Sequence, residues 1–112
     1  MNGTRTLGEN IADNGGLREA FKAWNSSRKD KVEEKLEGLD QFTEDQLFFI
    51  SYANNWCSDE APLVLLKSLQ NDEHSPSRSR VNDVLANFDS FSNAFECDKK
   101  TPMNPESKCK VW

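Results

Sequence analysis

The sequence predicts a mainly α-helical fold, and three observations carry that expectation. Apolar residues recur at helical intervals in two stretches: Leu17, Ala20, Phe21 and Trp24 early, then Val81, Val84, Leu85, Phe88, Phe91 and Phe95 late. Thr43 followed by Gln46 is a capping-box pattern, in which a hydroxyl and a side-chain amide satisfy each other's backbone N–H at a helix start. No alternating apolar and polar run is longer than a few residues, so no strand pattern is present, nor any repeat or low-complexity block.

The first helix is expected from Leu7 to about Trp24. Gly15-Gly16 lies inside it, at a cost of roughly 1 kcal/mol per glycine against alanine. That predicts either a close approach to the backbone or a bend. Asn25-Ser26-Ser27 marks its end. Residues 28–38 are charge-dense, with only Val32 and Leu36 apolar, and read as an exposed connector, with helix left open for it, and a plain solvated surface. The capping box opens a helix from Glu44 to about Asn55. Its Leu47, Phe48, Ile50, Tyr52, Ala53 and Trp56 are apolar on more than one side, which suits the interior of something larger. Asp59-Glu60-Ala61-Pro62 is a further start, with acids and proline in the first turn of a helix ending near Gln70-Asn71. A polar loop over Asp72–Arg80 holds the only histidine. The late apolar series follows, broken around Asp89-Ser90. From Cys97 two prolines predict an irregular tail over 97–112.

At 112 residues the chain is at most one small domain, large enough for a thin core. A hydrophobic share of 36%, a charged share of 29% and a mean hydropathy of −0.79 exclude both a membrane-embedded chain and a disordered tail. A net charge of −5 disfavours nucleic acid, whose phosphates need a basic face. No apolar run is long enough to span a bilayer. Met1-Asn2-Gly3-Thr4 leads directly into polar sequence, so no signal peptide or anchor is expected at this start. Cys57, Cys97 and Cys109 are odd in number and cannot all pair within one chain. They are either free thiols of a cytosolic protein or part of a disulfide-bonded extracellular one. Two glycosylation sequons, Asn2-Gly3-Thr4 and Asn25-Ser26-Ser27, are compatible with secretion.

Two constellations could carry chemistry. Glu9 and Asp13 are four residues apart and share a helix face. Such a pair must find partners or stay in water. A divalent metal suits it, with Glu9 as direct ligand and Asp13 orienting another ligand. A solvated acidic edge is the plainer reading, and spacing alone favours it. His74 and Arg80, six residues apart, could form an anion or carbonyl clamp. A cationic imidazole would stabilise an oxyanion, the guanidinium would donate to a peptide carbonyl, and Asp72 would hold the imidazole. A surface histidine beside a helix-start arginine is the commoner arrangement.

The wording of these stretches adds to their spacing. Leu7-Gly8-Glu9-Asn10-Ile11-Ala12-Asp13-Asn14-Gly15-Gly16 closely resembles the glutamate-ligand helix of the neprilysin and endothelin-converting-enzyme family of zinc metallopeptidases. The family pattern there is Glu-Asn-x-x-Asp followed by glycines. His74-Ser75-Pro76 with Arg80 resembles the family's His-Ser-Pro loop and its arginine. The family usually has an aromatic residue before that arginine, where this chain has Ser79. The neighbouring Arg78 leaves open which arginine faces substrate. Leu47-Phe48-Phe49 leading to Trp56-Cys57 also resembles the family. So do Arg80-Val81-Asn82, Asn87-Phe88, Ala94-Phe95, Cys97, Met103-Asn104-Pro105-Glu106 and the terminal Cys-x-Val-Trp. The likeness spans essentially the whole chain and explains its ending better than a prenylation box does.

The resemblance implies the carboxyl-terminal helical portion of a thermolysin-like (gluzincin) catalytic domain, with residues 1–112 as part of that domain. It implies one Zn²⁺ per intact enzyme with Glu9 as its third protein ligand, and Asp13 as buttress of a zinc-binding histidine. His74 would stabilise the transition state and Arg80 would hold the peptide. Cys57, Cys97 and Cys109 would each pair with cysteines outside this chain, in an extracellular protein or the ectodomain of a single-pass membrane protein. Its partners would be a peptide substrate and the remainder of the peptidase chain. Peptidases of this class also need His-Glu-x-x-His, two imidazole ligands and a general base. With one histidine the chain supplies one ligand of three and is expected to be inactive alone. The competing expectation is a non-catalytic helical binding or regulatory module derived from the same family.

Overall fold

The computed structural model describes residues 2–111. Five helices follow in order: α1 (Gly3–Arg28), α2 (Glu44–Asn54), α3 (Pro62–Asn71), α4 (Ser77–Ala86) and α5 (Asp89–Ala94). Among the described residues there is no strand, only an isolated bridge between Thr101 and Asn104. The mainly α expectation therefore holds. Trp112, part of the terminal Cys-x-Val-Trp motif, lies outside the described residues. No described helix is long and apolar enough to cross a membrane.

Helix α1 begins and ends four residues beyond its expected bounds. The Asn2 side chain accepts from the Thr4 N–H at 3.1 Å and so starts the helix ahead of Leu7. At the other end the Ser27 hydroxyl donates to the Trp24 carbonyl at 2.7 Å. Arg28 donates to Asn25 and reaches Glu44 and Asp45 on α2, so Asn25-Ser26-Ser27 continues the helix instead of closing it. The helix runs unbroken through the glycine pair. Gly15 is buried, whereas a Cβ on Gly16 would meet nothing within 4 Å, and nothing in the structure explains a glycine there.

The connector over 29–43 is not helical, contrary to the possibility its charge pattern left open. Val32 and Leu36 are its apolar residues up to Gly38 and both are exposed, so a helix there would have no face to bury. Instead its backbone is held from outside. The Glu34 N–H donates to Glu44 Oε1 at 3.0 Å, the Glu33 carboxylate accepts from the Glu44 N–H at 2.9 Å, and Lys35 Nζ reaches the Phe42 carbonyl. Gly38 takes a φ of +81°, which favours glycine.

Helix α2 has both halves of its capping box. The Gln46 N–H donates to Thr43 Oγ1 at 3.2 Å, and the Thr43 N–H donates to Gln46 Oε1 at 3.0 Å. Pro62 starts α3 in the first turn, where its missing N–H costs nothing. That helix buries no residue, and Leu63, Val64 and Leu66 are exposed. Helix α4 begins at Ser77, so Arg78, Ser79 and Arg80 are helical, not part of the expected loop. The break in the late series falls at Asn87 and Phe88, and Asp89 opens α5 with an acid in the first turn.

The core is an aromatic cluster at the meeting of α1, α2, α4 and α5. Leu17, Phe21, Phe49, Val84 and Leu85 are buried at its centre. Phe49 stacks on Phe21 at 5.0 Å and meets Phe48, Phe88 and Phe91 edge-on at 5.4, 5.8 and 5.5 Å. Residues 97–111 hold no helix. They are fixed by side chains: Asn104 donates to the Cys97 carbonyl at 2.8 Å, and Lys108 donates to Asp89 at 2.8 Å and to the buried Ser92 at 3.1 Å.

Candidate functional site

The first half of α1 and the start of α4 bring Glu9, Asp13 and Arg80 together across 67 residues of sequence. Arg80 Nε donates to Asp13 Oδ2 at 2.7 Å and Nη2 donates to Asp13 Oδ1 at 2.6 Å. This two-bond pairing matches the fork of a guanidinium to the two oxygens of a carboxylate. Nη2 also lies 3.3 Å from Glu9 Oε2. The Arg80 and Asp13 side chains are only 13% and 10% exposed, while Glu9 keeps 35%. Hydrogen bonding to Asp13, then its charge and that of Glu9, hold the guanidinium above its ordinary value.

His74 reaches the same carboxylate from the loop between α3 and α4. Its Nε2 is 3.3 Å from Glu9 Oε2. Asp72 Oδ1 accepts from the His74 backbone N–H at 2.9 Å and sits 2.8 Å from Nδ1. One carboxylate thus closes the turn and orients the ring. The hydrogen bond its ring donates to Asp72 raises the imidazole above its ordinary value, and the Glu9 charge adds to that. Asp72 is lowered in return, chiefly by the His74 backbone N–H. The ring is therefore biased toward its cationic form beside Glu9.

Several residues that sequence reasoning passed over build this site. Asn10 donates to the buried Thr6 hydroxyl at 3.0 Å and accepts from the buried Ser75 hydroxyl at 2.7 Å, which fixes the His74 loop to α1. Asn14 accepts from Asn87, whose side-chain oxygen takes the Cys109 N–H at 3.0 Å and so ties the tail to the end of α4. Tyr52 donates to the Arg80 carbonyl at 2.7 Å. Trp56 lies under the Arg80 guanidinium, 4.0 Å from ring centre to the central carbon. The available signal was spacing: Asn10 and Asn14, and Tyr52 and Trp56, repeat the four-residue interval of Glu9 and Asp13. Arg78 lines a different depression with Trp56, Cys57 and Pro76, so Arg80 is the arginine that faces the acids.

Could this chain hold a divalent ion by itself? Among the described residues no three of His, Cys, Asp and Glu are grouped to bind a metal. Glu9 offers a partly exposed carboxylate, and Asp13 keeps acceptor capacity beyond its two bonds to Arg80. Two carboxylates, one of them already paired to Arg80, fall short of the three protein ligands a catalytic zinc needs. Cys57, Cys97 and Cys109 form no disulfide with one another.

The model of peptidase family M13 matches residues 1–111. The chain is 48% identical over 113 residues to human neprilysin and 45% identical to human membrane metallo-endopeptidase-like 1. It is 44% identical to neprilysin-11 of Caenorhabditis elegans. Each alignment covers 100% of this chain and 15%, 14% and 13% of the respective relative. The chain thus spans about a seventh of the length of the relatives it matches.

Proposed function

We propose, from the premise that this chain belongs to peptidase family M13, that it forms one wall of the active site of a zinc metalloendopeptidase acting on oligopeptides. The observation that carries this reading is the Glu9 carboxylate. It lies 3.3 Å from both the Arg80 guanidinium and the His74 imidazole, with Asp13 paired to the same arginine. That proximity of Glu9, Asp13, His74 and Arg80 supports reading them as a ligand, its support, a cation for developing charge and a carbonyl donor.

In the intact enzyme Glu9 would hold zinc with two imidazoles from outside these 112 residues, and the metal would supply Lewis-acid polarisation of the scissile carbonyl. Asp13 would accept the N–H of one of those imidazoles while bound to Arg80, fixing its tautomer. His74, kept cationic by Asp72, would stabilise negative charge as it develops on the carbonyl oxygen. Arg80 would donate from Nη1, which carries none of the bonds to Asp13 or Glu9, to a backbone carbonyl of the peptide. Cys57, Cys97 and Cys109 would pair with cysteines elsewhere in an extracellular or membrane-anchored parent. The remainder of the peptidase would cover the apolar side of α3.

Two substitutions in a full-length enzyme carrying this segment test the reading. Glu9→Val is expected to lose zinc on dialysis. Retention of metal and activity would remove Glu9 from the ligand set. His74→Ala is expected to lower kcat roughly a hundredfold with little change in KM, because the contact forms as charge develops. An unchanged kcat would take His74 out of the mechanism.

A further inference from the structure

We propose that Trp56 is a positioning residue for Arg80, with the Tyr52 hydroxyl as its second support, and that the two together set how firmly Arg80 grips a peptide carbonyl. This rests on the reading that Arg80 holds the substrate.

The two bonds donated to Asp13 engage one edge of the guanidinium, at Nε and Nη2. Bonds along one edge fix rotation within the plane but leave the plane free to tilt about that edge. The Trp56 ring lies against the face of the group at 4.0 Å and blocks the tilt. Stacking of a cation on an indole is attractive, more so when the cation is withdrawn from water, as Arg80 is at 13% exposure. Nη1 is then held in one direction by an edge contact and a face contact at once.

Tyr52 acts on the other end of the same residue. Its hydroxyl donates to the Arg80 carbonyl at 2.7 Å, and so pins the backbone from which the long side chain extends. Burial, and then the Asp13 charge, push the phenol up to about 12, so it remains a donor across the neutral range. Tyr52 sits near the end of α2, and Trp56 lies one turn further on, where its N–H donates to the Ala53 carbonyl at 3.1 Å. One turn of chain thus grips both the backbone and the side chain of Arg80. Among the described residues Trp56 makes none of the ring contacts that knit the phenylalanine cluster, and it is only half-buried. An ordinary core role does not account for its place.

The test uses the intact zinc-loaded peptidase that carries this segment, an internally quenched fluorogenic oligopeptide, and calorimetry with an uncleavable peptide. Trp56→Leu keeps an apolar body and removes the π face. It is expected to raise KM and weaken the uncleavable peptide roughly tenfold, with kcat within about twofold. Trp56→Phe is expected to recover part of the loss, and Tyr52→Phe to lose roughly threefold by removing the hydroxyl that bonds the Arg80 carbonyl. The deciding readout is coupling: in an Arg80→Ala background, Trp56→Leu should add no further loss. Additive losses would show that Trp56 acts on its own and would overturn the proposal, as would an unchanged KM in Trp56→Leu. If Trp56→Leu does not fold, Trp56→Phe and Tyr52→Phe carry the same coupling test. If Arg80→Ala leaves KM and peptide affinity unchanged, the failure lies in the substrate-holding reading of Arg80 instead.

Discussion

Replacing Phe49 by alanine should remove the centre of the fold. Phe49 is 1% exposed and faces Phe21, Phe48, Phe88 and Phe91 within 5.8 Å between ring centres. Returning that ring to water forfeits about 2–3 kcal/mol of transfer free energy. The cavity left behind and the lost edge-on contacts add to it, and Phe→Ala changes at such sites cost about 3–5 kcal/mol in all. A native domain of this length is stable by roughly 6–17 kcal/mol, against which a loss of about 4 is a large share. Urea denaturation of the 112-residue chain, followed by far-ultraviolet circular dichroism, reads it directly. With a slope of about 2 kcal/mol per molar, the midpoint should fall by roughly 2 M. Phe49→Leu keeps most of the apolar volume and should cost less than about 1.5 kcal/mol. Equal losses for alanine and leucine would mean that the ring is not the piece the cluster closes around.

The pH dependence of stability should have two limbs. Glu44 is held below its ordinary 4.5, first by the Glu34 N–H and then by Arg28, and Asp89 below 3.8 by Lys108. Depressed acids contribute stability that is in place above their unfolded values and is lost as pH falls through the folded ones. His74 is raised above 6.5, so its contribution is in place below that value and fades as pH rises through the folded one. The urea midpoint should therefore peak between 4.5 and 6.5, and Asp72→Asn should flatten the alkaline limb. An alkaline limb unchanged in that variant would contradict the Asp72–His74 pairing. At the start of α2, Thr43→Ala should cost about 1 kcal/mol. Gln46→Ala should cost more, since Gln46 also donates to the Ala94 carbonyl at 2.8 Å and joins α2 to the end of α5. The reverse order in urea midpoints would show that the link to α5 carries nothing.

What could be read in the sequence was local chemistry. The capping box at Thr43 and the proline at the head of α3 act within a few residues; α2 lies within a residue of its expected place, while α3 starts at Pro62 and leaves the acids expected in its first turn outside the helix. Helix α1 runs past Asn25-Ser26-Ser27, although that triplet resembles a stop. The Arg28 side chain, donating to Glu44 and Asp45 on α2, overrides that local signal. The acid pair and the His74–Arg80 loop were legible as candidates. Their meeting was not, because the contact between Arg80 and Asp13 depends on how α1 and α4 cross. By pattern Trp56 belongs to the apolar helix interior, yet its face lies on a guanidinium. Periodicity tells which side of a helix is apolar and says nothing of the charge that comes to rest on it.

The unwound span between α1 and α2 has a consequence for handling the protein. Lys29, Lys31 and Lys35 lie on exposed backbone there, outside any helix. A basic-specific protease should find its first cleavage points in that span. The severed halves would still be clasped by the phenylalanines that α1 and α2 send into one another, so a nicked molecule should elute as though whole and come apart only in denaturant.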